Sequence, residues 1–392
     1  MADVDVNAIF ETAVTMADVQ DPDLEPFQSN LELLVECINA EAGLTPDGAA
    51  GAQVALALPL RNRIEVSDWI RRYPKIADEP VEAPLVLTGL PRSGTTYFQY
   101  LFDPEPSMRM LRHWEGDRPC PPPAFDPDSA RRRLEQAQEQ FRRDHEDELR
   151  SEIAKIHLMD PDGPEECLAI IDQTFGNVGH YWTYGVPTYF ARCLDTVDLG
   201  ACYAHHKLVL QLLQWKAEPK RWVMKWPCHL VALPELVDLY PDASFVITHR
   251  DPVQALASNC SLSALLRRFT AEQVDLYQIG RQMKDMILTY LRRLVVFDEQ
   301  FGDTGRIAHV DYATVVEQPE TVMTDVFEQL GLEMTPTVKD SIVAWRRDNP
   351  PGKRGMHDYA LDDYGLEARE VAEEYAFYID RFDVPAEGAD AG

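Results

Sequence analysis

The segment GLPRSGTTYFQYLF (Gly89–Phe102) gathers residue types whose chemistry is anion binding. Gly89 and Gly94 keep the spacing G-x-x-x-x-G, and small residues between a strand and a helix let successive backbone N–H groups converge on phosphate oxygens. The helix that follows adds the partial positive charge of its N-terminus. In an enzyme of nucleoside triphosphates the residue after the second glycine is a Lys reaching the β- and γ-phosphates; here Thr95 holds that place, followed by Thr96 at the hydroxyl position. The cation stands inside the loop, at Arg92, whose guanidinium can fork onto two non-bridging oxygens. Arg92, Ser93, Gly94, Thr95 and Thr96 are thus the expected anion-binding set, and the missing Lys counts against ATP or GTP. The competing reading is a tight strand-to-helix turn with no ligand.

A second cation follows another strand. In ASFVITHRDPVQALASNCSL, Arg250 ends the strand and Ser258 lies eight residues on, two turns along the next helix. Alone, an Arg at a strand end is the usual setting of a surface ion pair. A third piece, NPPGKRGMHDYALDDYGL (Asn349–Leu366), holds the basic turn Gly352, Lys353, Arg354 and Gly355 in an otherwise acidic chain, which suits a lid over a phosphate or an exposed solvated turn.

With these pieces in order, the chain resembles the superfamily of sulfotransferases that use 3′-phosphoadenylyl sulfate (PAPS). Arg92 to Thr96 match its 5′-phosphosulfate loop, in the Pro-Arg-Ser-Gly-Thr-Thr form of bacterial and tyrosyl-protein members. Arg250 and Ser258 resemble its 3′-phosphate site, and residues 349–366 resemble its C-terminal loop, although the G-x-x-G-x-x-K order is not reproduced. The resemblance spans roughly residues 83–366. It implies PAPS as co-substrate, 3′-phosphoadenosine 5′-phosphate (PAP) as product, a small-molecule, lipid or carbohydrate hydroxyl as acceptor, and no metal.

Transfer of a sulfuryl group, like that of a phosphoryl group, asks the protein mainly to position the acceptor and to neutralise charge on the bridging oxygen. Glu115 in RHWEGDRP lies 23 residues after Arg92, close to where a catalytic Glu follows the loop in the tyrosyl-protein and trehalose-type enzymes, and is the first choice for general base. His113, Glu165, Glu166 and His229 compete with it. Lys225, in VMKWPCHL, is similar to the Lys of a K-S-P-x-H-L stretch of the bacterial branch, with Trp226 in place of Ser, and could stabilise the leaving oxygen or serve as a salt-bridging strand end. Tyr181, Trp182, Tyr184, Tyr189 and Phe190 could line an acceptor pocket or stack on adenine, but clustered aromatics are more often core.

These residues need a scaffold, and the pattern of the chain supplies one. Ala83–Leu90, Arg221–Trp226, Ala243–His249 and Arg306–Asp311 are short apolar runs, each followed by a helical pattern, as a parallel sheet covered on both faces requires. The expected fold is α/β, a P-loop-like central parallel sheet flanked by helices. A helical segment over 1–80 (Val6–Val19, Leu31–Ala40, Ile64–Ile70) precedes an α/β domain over 81–392, and an insertion over about 103–215, with a charged helix from Ser129 to about Ile153, shapes the acceptor pocket. Later helices are expected at His229–Tyr240, Ala271–Phe297, Thr314–Leu330, Thr337–Arg347 and Glu367–Phe382.

Composition narrows the partners. A net charge of −29 repels nucleic acid and anionic membranes, and also fits plain solubility or a salt-adapted host. Seven scattered cysteines with no C-x-x-C pair argue against a disulfide framework or a zinc site. No apolar run is long enough to span a membrane, and no basic region precedes an apolar core near Met1, so a cytoplasmic location is expected. Two rivals remain from the sequence: a P-loop small-molecule kinase, and a nucleotide-binding module without catalysis.

Overall fold

The structure is a computed structural model that describes residues 3–146, 152, 158–349 and 360–387. Five strands form its sheet: β1 (Leu85–Gly89), β2 (Met108–Arg109), β3 (Arg221–Lys225), β4 (Ser244–His249) and β5 (Ile307–Asp311), in the order β2-β3-β1-β4-β5. All pairings are parallel, with Leu87 opposite Lys225 and Val246, and Gly89 opposite Thr248. Each β1 residue is buried, which is why that strand reads as an unbroken apolar run.

Successive side chains feed two cores. Leu85 and Leu87 of β1, Val223 of β3 and Val246 of β4 pack with helices Thr95–Phe102, Pro319–Gln329 and Pro336–Asp348. Val86, Met224 and Ile247 point the other way, into a larger core with Pro46–Arg72, Leu199–Gln214, Pro252–Arg267 and Leu276–Phe301. The N-terminal helices Val6–Ala17 and Gln28–Glu41 join that same core through Ile9, Ala13, Leu31, Leu34 and Ile38.

β1 is the centre of the sheet. The chain runs from it to β2 and β3 on one side, then to β4 and β5 on the other, so the direction of strand order reverses at the C-terminal end of β1. The loop after β1, Lys225 at the end of β3 and Arg250 just past β4 meet there because they share that end of the sheet.

Several elements differ from the sequence expectation. β2 has only two residues, too few to leave a periodic signal. The piece expected at Ile64–Ile70 is the end of a 27-residue helix, Pro46–Arg72, that continues through Pro59; small buried residues such as Gly48, Ala49, Ala52 and Ala57 blur its apolar stripe. Thr314–Leu330 divides at Pro319, which cannot continue the hydrogen-bond ladder, into Tyr312–Glu317 and Pro319–Gln329. Glu367–Phe382 divides into Ala368–Glu374 and Ala376–Phe382, and His229–Tyr240 begins with a short tight turn, Pro227–Val231, before Leu233–Leu239. The charged helix is described over Pro127–Glu146.

Candidate active site

The loop between β1 and helix Thr95–Phe102 is tied down residue by residue. Ser93 is buried; its N–H and its hydroxyl both donate to the Leu90 carbonyl, at 3.0 and 2.6 Å, and its Oγ lies 2.7 Å from Thr248 Oγ1 on β4. Gly94 caps the helix with φ +81°, and a Cβ there would stand 2.4 Å from the Tyr312 ring. Arg92 holds a left-handed conformation, φ +74°, which costs a non-glycine residue about 1–2 kcal/mol. Strain of that size is retained where the surroundings fix it.

The surroundings of Arg92 are the second anchor. Its Nε donates to Ser258 Oγ at 3.0 Å, and its carbonyl accepts from Arg250 Nη1 at 2.7 Å. The Arg250 guanidinium lies over the Tyr312 ring, 4.5 Å from its centroid, and its Nε and Nη2 fork onto both carboxylate oxygens of Glu387 at 2.6 and 2.8 Å. Asn259, next to Ser258 and fully buried, donates to the Pro91 carbonyl at 2.9 Å and accepts from Trp182 Nε1 at 3.1 Å. The structure thus brings Arg92, Ser93, Gly94, Thr95, Thr96, Arg250 and Ser258 to one end of the sheet.

Lys225 reaches the same loop from β3. Its Nζ, on a side chain only 1% exposed, donates to Thr96 Oγ1 at 2.8 Å and to Glu166 Oε1 at 2.5 Å. A cation therefore stands at the start of the loop helix, although the position after Gly94 lacks one. The strip carrying Glu165 and Glu166 is laid in place by backbone bonds: Glu165 N–H donates to the Leu111 carbonyl and Cys167 N–H to the Lys225 carbonyl, both at 2.8 Å.

The remaining base candidates lie in different settings. Glu115 is buried, with Oε1 accepting from Arg109 Nη2 at 2.6 Å and Oε2 from the Arg112 N–H at 3.1 Å, so it closes the first turn of helix His113–Asp117. His113 Nδ1 is 2.7 Å from Glu165 Oε2. Burial opposes its protonation, but the hydrogen bond and charge of Glu165, with Asp117 and Asp160 nearby, prevail and push it up to about 9. It is a cation at neutral pH. His229 is fully buried behind Trp226 with Nδ1 2.6 Å from Tyr203 Oη, and burial, with His206 and Lys225 nearby, holds it well below the usual imidazole range.

Tyr181, Trp182, Tyr184, Tyr189 and Phe190 are all buried in the larger core, so that cluster is packing. Gly352, Lys353, Arg354 and Gly355 lie outside the described residues. Thr248, Asn259, Tyr312 and Glu387 were not anticipated; Thr248 and Asn259 adjoin the second anchor in sequence, whereas nothing local marks Tyr312 or Glu387. Among the described residues, no group of three or more His, Cys, Asp or Glu comes together as a metal cage, and no helix is long and apolar enough to cross a membrane.

Comparison with known proteins agrees with this geometry. Two solved structures superpose over nearly the whole chain. The sulfotransferase STF9 from Mycobacterium avium has a TM-score of 0.88 at 28% identity, covering 97% of both chains. The sulfotransferase STF1 from Mycobacterium tuberculosis H37Rv has a TM-score of 0.83 at 26% identity, covering 95% of this chain and 99% of that one. No curated protein matches the chain in sequence. Residues 84–336, from β1 to the start of helix Pro336–Asp348, match the profile described as "Sulfotransferase family", and the chain belongs to that family.

Proposed function

We propose that this sulfotransferase takes its sulfuryl group from PAPS and transfers it to a hydroxyl of a small-molecule, lipid or carbohydrate acceptor, releasing PAP. The observation that carries the donor reading is Arg92, whose side chain reaches Ser258 while its carbonyl holds Arg250, so the 5′ and 3′ anion sites lie side by side. The residues fit such a ligand. A Cβ at Gly94 would meet the Tyr312 ring, and the Arg250 fork holds the Glu387 carboxylate in the bidentate arrangement that a phosphate also takes, which supports this reading.

When bound, PAPS supplies an activated sulfuryl group. The chain's own part is to bind, to neutralise and to accept a proton. The N–H groups at the start of helix Thr95–Phe102 bind the 5′ end. Lys225, held against Thr96, neutralises charge developing on the leaving side. Glu166, on Lys225 and 14% exposed, receives the acceptor's proton in this reading, whereas Glu115 is only 4% exposed and both its oxygens are taken, Oε1 by Arg109 Nη2 and Oε2 by the Arg112 N–H. The seven free, buried thiols suit a reducing cytoplasm.

Calorimetry tests the donor. Micromolar binding of PAP to the wild-type chain, lost in Arg250→Ala, is expected. Tight binding of ATP with Mg²⁺ and indifference to PAP would replace this reading with the kinase, and PAP binding without turnover of PAPS across an acceptor panel would leave a binding module.

A further inference from the structure

Glu387 sits where the donor's 3′ end is expected. Its two carboxylate oxygens take the Nε and Nη2 edge of Arg250, at 2.6 and 2.8 Å, while Nη1 is engaged by the Arg92 carbonyl. That edge is the one a phosphate takes bidentately. We propose that Glu387 is a specificity-determining residue of the donor site: its carboxylate stands in for the 3′-phosphate until a nucleotide carrying that group displaces it. The inference rests on reading Arg250 as the 3′-phosphate anchor.

The placement is built into the fold. Helix Ala376–Phe382 is docked by Tyr378, whose hydroxyl meets His249 Nδ1 at 2.9 Å, one residue before Arg250. Asp383, at φ +49°, turns the chain off that helix, and buried Val384 donates back to the Ile379 carbonyl. Glu387 N–H then donates to Asp251 Oδ2 at 3.0 Å, which fixes the backbone beside Arg250 and aims the side chain at it.

Exchange is feasible because the Glu387 side chain is 31% exposed, so leaving opens no cavity in the core. A phosphate monoester carries up to two charges and three acceptor oxygens against one charge and two oxygens on Glu387, so it wins the fork at sufficient concentration. A nucleotide with only a 5′-phosphate has nothing to put there and leaves Glu387 in place. Competition of this kind lowers the apparent affinity for the displacing ligand by the fraction of chains whose fork is free. Glu387 therefore sets the affinity for 3′-phosphorylated nucleotides and not for adenosine nucleotides as a class.

The test is calorimetric titration of PAP and of AMP into the full chain, as wild type, Glu387→Gln and Glu387→Asp. Loss of the carboxylate is expected to tighten PAP about three- to tenfold, the scale of a partly exposed ion pair, while AMP moves less than about twofold. Glu387→Asp, which keeps the charge, should stay nearer the wild type. Equal PAP affinity in wild type and Glu387→Gln, or weaker binding in the variant, overturns the proposal and leaves the donor reading standing. PAP binding to neither chain overturns both. A gain of AMP affinity equal to that of PAP also refutes it, since the effect would then be general charge repulsion.

Discussion

Replacing Lys225 and Glu166, singly and together, separates a structural ion pair from a catalytic one. At 2.5 Å and an effective dielectric near 20, their attraction is about 7 kcal/mol, most of it offset by the desolvation of both groups. The cost of breaking the pair depends on what is left behind. Lys225→Met leaves Glu166, whose side chain is 14% exposed and can recruit water, so a loss of about 2–3 kcal/mol of stability is expected. Glu166→Gln leaves the ammonium on a side chain 1% exposed, with Thr96 as its remaining anchor, and should cost about 3–5 kcal/mol. The double variant has no lone charge, and should be more stable than the sum of the single losses implies by about 2–3 kcal/mol. Urea unfolding at pH 7 measures all three. Activity should behave differently. On the proposed roles, Lys225→Met loses charge neutralisation in the transition state, about 10²–10³ in kcat, and Glu166→Gln loses the proton acceptor, about 10²–10⁴; the double variant recovers neither. Initial rates of PAP release from PAPS with an accepted hydroxyl substrate give the second measurement. A Lys225→Met enzyme destabilised as described but with kcat within about threefold of wild type would refute the reasoning and leave Lys225 a structural cation. Strict additivity of the stability losses would equally refute the pairing.

Two further perturbations read other parts of the site. Gly94→Ala combines a left-handed φ with a Cβ 2.4 Å from the Tyr312 ring, so unfolding should become about 2–4 kcal/mol easier and PAP binding should weaken at least tenfold; unchanged binding would mean the loop is not the cradle. His206 is fully buried with no partner for either ring nitrogen among the described residues, and burial pushes it down to about 3. A depressed histidine destabilises the fold as acid protonates the unfolded chain, so between pH 6.5 and 5 it removes about 2 kcal/mol, and His206→Leu should flatten that limb of the pH–stability curve by as much. Parallel curves for variant and wild type would contradict it.

What the sequence disclosed follows the range of its signals. The loop from Gly89 to Thr96 is contiguous, and its spacing alone marks a strand-loop-helix turn of the kind that binds anions. Arg250 and Ser258 are separated by two helical turns, a distance that local periodicity still spans. Beyond that, pattern fails. Spacing places Glu115 after the loop but cannot tell that its Oε1 meets Arg109 and its Oε2 the Arg112 N–H; Glu166 meets Lys225 across 59 positions, and only the laying of residues 165–167 between Leu111 and Lys225 brings them together. Glu387 is 137 positions from Arg250 and resembles any other acid in a chain with 66 acidic residues. In the scaffold, the four longer strands were legible because each carries a short run of buried apolar residues, while β2 and the alanine-rich part of Pro46–Arg72 lack that contrast.

Arg92 has a mechanical consequence. By gripping Ser258 with its side chain and Arg250 with its carbonyl, it fastens the two ends of the proposed donor site into one caliper. A ligand is then gauged by the span between its two anionic ends as well as by their charge. The second contact forms at the high effective concentration that the first creates, so a molecule of the right length gains a chelate advantage that two separate anions cannot share.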